Sequence, residues 1–379
     1  MPSLENIVQV AEALEKSPVI VMRDRCVAVR NRNATCRTCA SSCPEGAIDV
    51  GLNEVKLEAG KCIACGICVS ACPTEALVAV QPTEGGLREA SLNSVKRNDG
   101  CAIVACARIA AKRQADPARY AEVPCLSFVD EALIIELASK GAERLLLVDG
   151  NCTTCKHQRC IDALEGSLRL AAGLLEAHGS SAVVDRVTGF PDALRVEDAQ
   201  GLHGSTRRGF FSDAVGAAKE TAMTAARTTL ENELGYKIDE ASIGDRLRVT
   251  EKGTLPQLRM PRHEAVLNAL DAIGLPQEGA IESRLFGSVS IDVEKCNSCG
   301  MCAVFCPTGA LARDDAEKAS DPLRYLEFSA ADCVQCGLCE DVCWKEALTL
   351  SRIVDASELY DFEPRTFKLR APKKKSFTR

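Results

Sequence analysis

The chain has 379 residues, of which 46% are hydrophobic, and it carries a formal net charge of −7. This length predicts two or three domains, and the acidic balance argues against a nucleic-acid-binding role, which requires a basic face. No stretch reaches the roughly eighteen apolar residues of a membrane-spanning helix, and the N-terminus lacks the pattern of an export signal, so we expect a cytoplasmic protein. The 22 cysteines are then more consistent with metal ligands than with disulfides.

Residues 1–82, the first predicted domain, contain two groups of cysteines. The second group has a complete spacing, Cys62-x2-Cys65-x2-Cys68-x3-Cys72-Pro73, which is typical of thiolate ligands around an iron–sulfur cluster. The first group is incomplete, because its run Cys36-x2-Cys39-x3-Cys43-Pro44 has Asn33 where the leading cysteine would stand. The nearest earlier cysteine is Cys26. Either this site lacks one ligand or its loop contains an insertion.

Residues 98–188, the second predicted domain, alternate short apolar runs with amphipathic segments. The runs are CAIVAC, AEVPC and RLLLVD, and the segments between them are ARIAAKRQA and VDEALIIELASKG. This alternation predicts parallel β-α-β units. Functional crevices in open parallel sheets lie beyond the carboxyl ends of the strands. Four of the six cysteines in the region fall at such ends: Cys106, Cys125, Cys152 and Cys155.

These four thiols predict an additional [2Fe–2S] or [4Fe–4S] centre. Cys101 opens its strand and should lie at the opposite edge, whereas Cys160 follows Cys155 by about one turn and is the best substitute ligand. Two alternatives stay open. Some of these residues could be buried core cysteines, or Cys152-x2-Cys155 could be a dithiol redox pair.

Residues 189–287 contain no cysteine and are predicted to form a helical connecting region. Residues 288–352 then contain two more complete runs, and residues 353–379 form a basic tail. The runs are Cys296-x2-Cys299-x2-Cys302-x3-Cys306-Pro307 and Cys333-x2-Cys336-x2-Cys339-x3-Cys343-Trp344.

The residues that flank the cysteines are similar in all four groups, and they indicate which cysteine is the first ligand of the incomplete group. In the three complete units, apolar residues stand seven and five positions before the first cysteine, on one face of a strand: Val55 and Leu57, Val289 and Ile291, Leu326 and Phe328. Counting back from Cys26 gives Val19 and Val21. The strand therefore predicts Cys26 as the first ligand, followed by an inserted loop. The alternative is a three-cysteine site with an open position.

Residues 18–80 and 288–352 each resemble a bacterial two-cluster ferredoxin domain. In that family the fourth cysteine of each run binds the other cluster. The resemblance implies four [4Fe–4S] ligand sets: Cys26, Cys36, Cys39 and Cys72; Cys62, Cys65, Cys68 and Cys43; Cys296, Cys299, Cys302 and Cys343; Cys333, Cys336, Cys339 and Cys306.

Residues 98–188 resemble the delta-type iron–sulfur subunits of hydrogenases and heterodisulfide reductases, in the segment VPCLSFVDEALIIELASKGAERLLLV. That family has a close cysteine pair where this chain has Cys106-Ala-Arg-Ile109. The complete order is also similar to multi-cluster ferredoxins found alongside bacterial formate dehydrogenases, which implies an oxidoreductase complex of anaerobic metabolism. The expected fold is α+β with an α/β centre, in which two ferredoxin-like 2[4Fe–4S] domains flank a small parallel-sheet domain.

The expected function is electron transfer. The sequence has neither a GxGxxG after a strand nor a GxxxxGK[ST], so nucleotide chemistry is not indicated. We expect four [4Fe–4S] clusters and an additional centre to relay electrons between a dehydrogenase or hydrogenase and a second redox partner. No catalytic residue is predicted. The alternatives are an enzyme that reduces a disulfide or small substrate at the central cysteines, and a non-catalytic redox-sensing or accessory protein.

Overall fold

A computed structural model describes residues 17–196, 250, 254–276, 279–314, 324–360 and 363–369. Residues 370–379 of the predicted basic tail (353–379) and most of the predicted connecting region, residues 197–249, lie outside the described residues, whereas Ile353–Asp355 and Arg365–Leu369 of that tail form strands. Among the helices that the structure describes, none is long and apolar enough to cross a lipid bilayer.

The N-terminal part is built from two short units that exchange strands. Its elements are β1 (Val19–Val21), α1 (Val27–Arg30), α2 (Thr38–Ser42), β2 (Ile48–Gly51), β3 (Glu54–Leu57), α3 (Ile67–Ala71) and β4 (Leu77–Ala79). β1 pairs antiparallel with β4, and β2 pairs antiparallel with β3. The first strand of one unit thus pairs with the last strand of the other. Helices this short have no stability of their own, so packing must hold them.

The central part is a parallel sheet with helices. It comprises α4 (Glu84–Arg97), β5 (Cys101–Cys106), α5 (Ala107–Ala110), β6 (Ala121–Val123), α6 (Glu131–Ser139), β7 (Arg144–Asp149), α7 (Ile161–Ala177) and β8 (Val183–Thr188). The strand order is β6-β5-β7-β8, and all three pairings are parallel. The predicted parallel sheet is confirmed. Ile103, Val104 and Ala105 are fully buried, as expected where helices cover both faces of a parallel sheet.

One predicted helix of this part is shorter than expected. The segment ARIAAKRQA is helical only over α5, and Arg113 follows with a left-handed φ of 51°. Asp116 then accepts a 2.9 Å hydrogen bond from the backbone N–H of Ala118, which caps a 3₁₀ turn beginning at Pro117. The left-handed residue at Arg113 ends the helical course of the chain, and the Asp116 cap then starts a separate turn.

The strand order reverses between β5 and β7. The chain leaves β5 toward β6 on one side of the sheet, whereas it leaves β7 toward β8 on the other side. Such a reversal opens a crevice at the carboxyl ends of the two strands. The last residues of β5 and β7 are Cys106 and Asp149, so the loops that follow them meet at this crevice.

The C-terminal part repeats the strand exchange of the N-terminal part. Its elements are α8 (Pro261–Ile273), β9 (Ala280–Glu282), β10 (Ser288–Ile291), α9 (Met301–Phe305), β11 (Leu311–Asp314), β12 (Arg324–Phe328), α10 (Leu338–Asp341), β13 (Leu348–Ser351), β14 (Ile353–Asp355) and β15 (Arg365–Leu369). β10 pairs with β13, and β11 pairs with β12. β15 extends the second pair at β12, and β14 pairs with β9.

Helix α8 packs against α6 of the central part. Its residues Val266 and Leu270 are fully buried, and they belong to the same apolar core as residues of the sheet and of both cysteine-rich parts. The three parts therefore share one continuous core.

Candidate metal centres

The first set of thiols includes the cysteine that precedes the inserted loop. Cys26 lies at the start of α1, directly after the strand β1 and its turn. Cys39 interacts electrostatically with Cys72, Cys26 and Cys36. The structure thus brings together the four thiols that the ferredoxin resemblance assigns to the first cluster. Asn33 is exposed.

The second set lies next to the first. Cys68 interacts electrostatically with Cys65, Cys62 and Cys43, which are the other three members of its expected set. It also interacts with Cys39 of the first set. The fourth cysteine of each run has therefore crossed to the other unit, and the two sets adjoin at Cys39 and Cys68.

The C-terminal part has the same arrangement. Cys302 interacts with Cys299, Cys296 and Cys343, which completes one expected set. Cys339 interacts with Cys336, Cys333 and Cys306, which completes the other. Cys339 also interacts with Cys302, so these two sets adjoin in turn.

A left-handed glycine shapes the loop of each complete run. Gly66 follows Cys65 with a φ of 82°, and Gly300 follows Cys299 with a φ of 68°. This conformation is readily available only to glycine. A side chain at Gly66 would also overlap the ring of Phe128, which follows Cys125 in the central part.

Backbone N–H groups point at the sulfur of the fourth cysteine in every unit. The donor–sulfur distances lie between 3.2 and 3.5 Å for Ala47 to Cys43, Ala76 to Cys72, Leu311 to Cys306 and Ala347 to Cys343. Hydrogen bonds to ligand sulfurs stabilise thiolate charge and tune the potential of iron–sulfur clusters. Four converging thiols with such donors fit a [4Fe–4S] cluster.

Burial determines the protonation of these thiols in the absence of metal. It raises the pKa of Cys26 to about 11 and the pKa of Cys39, Cys302 and Cys333 to about 12. Metal-free thiols of this kind hold their protons at neutral pH. Iron binding must therefore displace protons, and ligation is coupled to pH.

The central cysteines line one cavity at the carboxyl edge of the parallel sheet. The cavity is lined by the four predicted residues and the predicted substitute: Cys106, Cys125, Cys152, Cys155 and Cys160. Cys101 begins β5 and pairs with Arg144, the first residue of β7, so it lies at the opposite edge. Asn151, with a left-handed φ of 69°, turns the chain into the Cys152 loop.

Cys160 connects this cavity to the second thiol set. Its thiol packs with Cys65 in a buried cluster that Cys125 also contacts. The neighbouring Cys160 thiol lowers the pKa of Cys125 to about 6, whereas burial raises the pKa of Cys152 to about 12. Nowhere in the described ranges do three His, Cys, Asp or Glu side chains form a site for a single metal ion.

His157 also lines the central cavity. Its Nδ1 lies 3.4 Å from Glu45 Oε1 in the N-terminal part. This histidine therefore joins two parts of the chain at the edge of the cavity.

Arg262 is a functional residue that no pattern in the sequence marks. This buried residue of α8 donates 2.8 Å hydrogen bonds to the carbonyls of Val69 and Cys72. Its guanidinium also lies 3.8 Å from both Glu84 and Asp130. It holds the backbone around Cys72, the fourth cysteine of its run. No cysteine lies near Arg262 in the sequence, so the spacing of cysteines could not predict this role.

Comparison with known families identifies the cysteine-rich parts. Residues 295–347 match the 4Fe-4S dicluster domain, and residues 55–78 match the 4Fe-4S binding domain. The chain thus contains ferredoxin-type domains that bind iron–sulfur clusters. The run from Cys26 to Cys43 lies outside both matched ranges. No curated protein matches the chain, and the delta-type resemblance of residues 98–188 stays a prediction.

Proposed function

We propose that this protein transfers electrons through four [4Fe–4S] clusters in its two ferredoxin-type parts and through a fifth centre on the central cysteines. The observation that carries the proposal is the contiguity of the thiol sets. Cys39 adjoins Cys68, and Cys302 adjoins Cys339. A cluster held by four protein thiolates exchanges single electrons and has no coordination position for a substrate.

The fifth centre is supported by the central cavity. Four thiols at the strand ends and Cys160 surround it, and Cys160 reaches Cys65 of the second set. A centre bound here would adjoin the ferredoxin-type part through a direct side-chain contact. Its ligands are Cys106, Cys125, Cys152 and Cys155 in this proposal.

The proposed partners are a dehydrogenase or hydrogenase and a second redox protein. Three exposed apolar side chains support docking near the Cys296 set, because each is close in sequence to one of its ligands. Val293 precedes Cys296, Met301 precedes Cys302, and Trp344, which is 66% exposed, follows Cys343. Large apolar side chains at the surface are typical of protein interfaces.

A second candidate is a redox enzyme that reduces a disulfide or small substrate at the central thiols. The contact between Cys125 and Cys160 favours it. Two adjacent thiols can form a disulfide with loss of two electrons and two protons, and those electrons would reduce the substrate. Turnover of a disulfide substrate by the purified protein, abolished in Cys160→Ser, would establish this candidate instead.

The main proposal is tested by metal content. Protein purified and reconstituted without oxygen should contain at least roughly sixteen iron atoms and as many acid-labile sulfides, four of each per cubane. Stepwise reduction should produce electron paramagnetic resonance signals from several interacting centres. Fully reconstituted protein with iron for only two cubanes would refute the proposal.

A further inference from the structure

We propose that the loop inserted between Cys26 and Cys36 joins the two ferredoxin-type parts into one redox unit, with an electron crossing at Cys36 and Cys336 that the charge of Arg30 controls. This inference rests on the proposed function. It assigns to the insertion a role in connecting two domains that the ferredoxin spacing alone would leave separate.

The inserted loop packs directly on the C-terminal part. Val27 and Ala34 of the loop form a buried apolar cluster with Leu338 and Val342 of the α10 region. Cys36, Cys336 and Phe305 pack against this cluster. Cys36 and Cys336 also interact electrostatically, so thiols from two different sets meet at the junction.

Hydrogen bonds fix the same junction at its exposed side. The backbone N–H of Thr35 donates to Asp341 Oδ2 at 2.8 Å, and the Thr35 hydroxyl donates to Asp341 Oδ1 at 2.7 Å. Thr35 immediately precedes Cys36, and Asp341 ends α10. The carboxylate of Asp341 therefore holds the end of the loop in place next to Cys36.

An extended strap, residues 255–259, lies between the two ferredoxin-type parts. Its N–H groups at Leu255 and Leu258 donate to Val304 and Pro307 of the C-terminal part at 3.0 and 2.7 Å. Its carbonyl at Pro256 accepts a 2.8 Å hydrogen bond from Arg30, and its carbonyl at Arg259 accepts from Arg25. The strap thus bonds to both parts along its length.

Arg30 lies at the centre of the junction and is only 6% exposed. It interacts electrostatically with Cys306 and Cys336, which belong to the C-terminal part although Arg30 belongs to the N-terminal part. Its Nε is buried and has no hydrogen-bond partner among the described residues. A buried donor without an acceptor is costly. Its largest favourable charge interaction is with Asp24, and a negatively charged cluster on the thiolates of Cys306 and Cys336 would add to that charge.

The crossing needs only one electron and no bond change. With clusters bound, the Cys36 set would hold the donor of the electron and the Cys336 set would hold its acceptor. A nearby positive charge favours the reduced, more negative form of the receiving centre and raises its potential. Arg30 therefore favours the electron on the C-terminal side of the junction.

The first experiment is a redox titration of Arg30→Gln with Arg32→Gln as the matched control, since Arg32 is exposed in the same loop. Cys336→Ala identifies the signal of the Cys336 set. At a fixed solution potential, we expect Arg30→Gln to lower the ratio of reduced to oxidised centre about tenfold. This corresponds to a midpoint potential that is lower by ~59 mV for one electron. Arg30→Lys should restore most of the potential, and Arg32→Gln should leave it unchanged. Equal shifts in both glutamine variants, or none in a fully iron-loaded Arg30→Gln protein, would overturn the role of Arg30.

The second experiment loosens the junction in a Thr35→Ala/Asp341→Ala variant. Magnetic coupling between the reduced centres of the two parts should weaken, and electron transfer between them should slow at least tenfold. Asp49→Ala, which removes an exposed carboxylate on β2, is the control.

Iron and sulfide content distinguishes a failure of the proposed function from a failure of the electron crossing alone. Too little iron in the wild-type protein would refute the proposed function. Full iron content with unchanged coupling in the loosened variant would refute the crossing alone.

Discussion

Cys26 lies beside Cys72 in the folded chain, close enough for their thiolates to repel each other electrostatically. Asn33, which occupies the usual position of the first ligand, is exposed and its backbone N–H donates a 2.8 Å hydrogen bond to the side chain of Asn31. Cys26, at the start of α1, thus supplies the first thiol of this set. The insertion lengthens the loop between the first and second thiols, but the set still contains four thiols.

This arrangement predicts opposite outcomes for two substitutions in the same segment. Cys26→Ala should remove about four iron atoms per chain, because a cubane needs all of its thiolates for stable binding. Asn33→Ala should leave the iron content and the spectra unchanged. Both are measured by iron and sulfide analysis after anaerobic reconstitution. Full iron content in Cys26→Ala would instead support the three-cysteine site with an open position.

The sequence predicted the strands of the ferredoxin-type parts because a simple periodicity defines them. Val19 and Val21 of β1 stand where the complete units have Val55 and Leu57, and both pairs lie in strands. The parallel sheet was equally predictable from its apolar runs. These elements are determined by local pattern, which a single sequence contains.

The junction between the parts was not predictable in the same way. Arg30 contacts Pro256, and His263 contacts the carbonyl of Ala331 at 2.5 Å. Such contacts join segments far apart in the chain, and no periodicity marks either partner. Two arginines near the insertion have partners of this kind: Arg25 pairs with Glu75 at 3.9 Å, and Arg30 interacts with thiols of the C-terminal part.

The central cysteines offer a second prediction, because five of them share a cavity and one does not. Changing Cys106, Cys125, Cys152 and Cys155 together to Ser should remove one spectroscopically distinct centre. The four ferredoxin-type signals should persist, since those clusters have their own ligands. Cys101→Ser is the control and should alter neither iron content nor spectra, because Cys101 lies at the other edge of the sheet. Loss of the centre in Cys101→Ser alone would contradict the assignment.

The role of Cys160 could not be predicted from the spacing of cysteines in the sequence. Sequence position ranked it behind the four strand-end cysteines, but in the structure it is buried and packs with both Cys65 and Cys125. Its contact with Cys65 depends on how the N-terminal part packs on the sheet. The Cys160→Ser variant should therefore be measured together with the quadruple variant. Loss of the same spectroscopic signal in Cys160→Ser would identify Cys160 as a further ligand.

The contact between the N-terminal part and the sheet can be tested at Gly66. A Gly66→Ala change introduces a Cβ at a left-handed position and forces it into the Phe128 ring. The backbone strain and the overlap together should cost about 2–4 kcal/mol. Gly173→Ala is the matched control, because Gly173 lies exposed within α7 and nothing would meet its Cβ within 4 Å. Alanine there should stabilise the helix by about 0.5–1 kcal/mol. The urea midpoint, followed by circular dichroism without oxygen, should fall for Gly66→Ala and rise for Gly173→Ala. An unchanged midpoint in Gly66→Ala would show that the packing of Phe128 against this turn contributes little to stability.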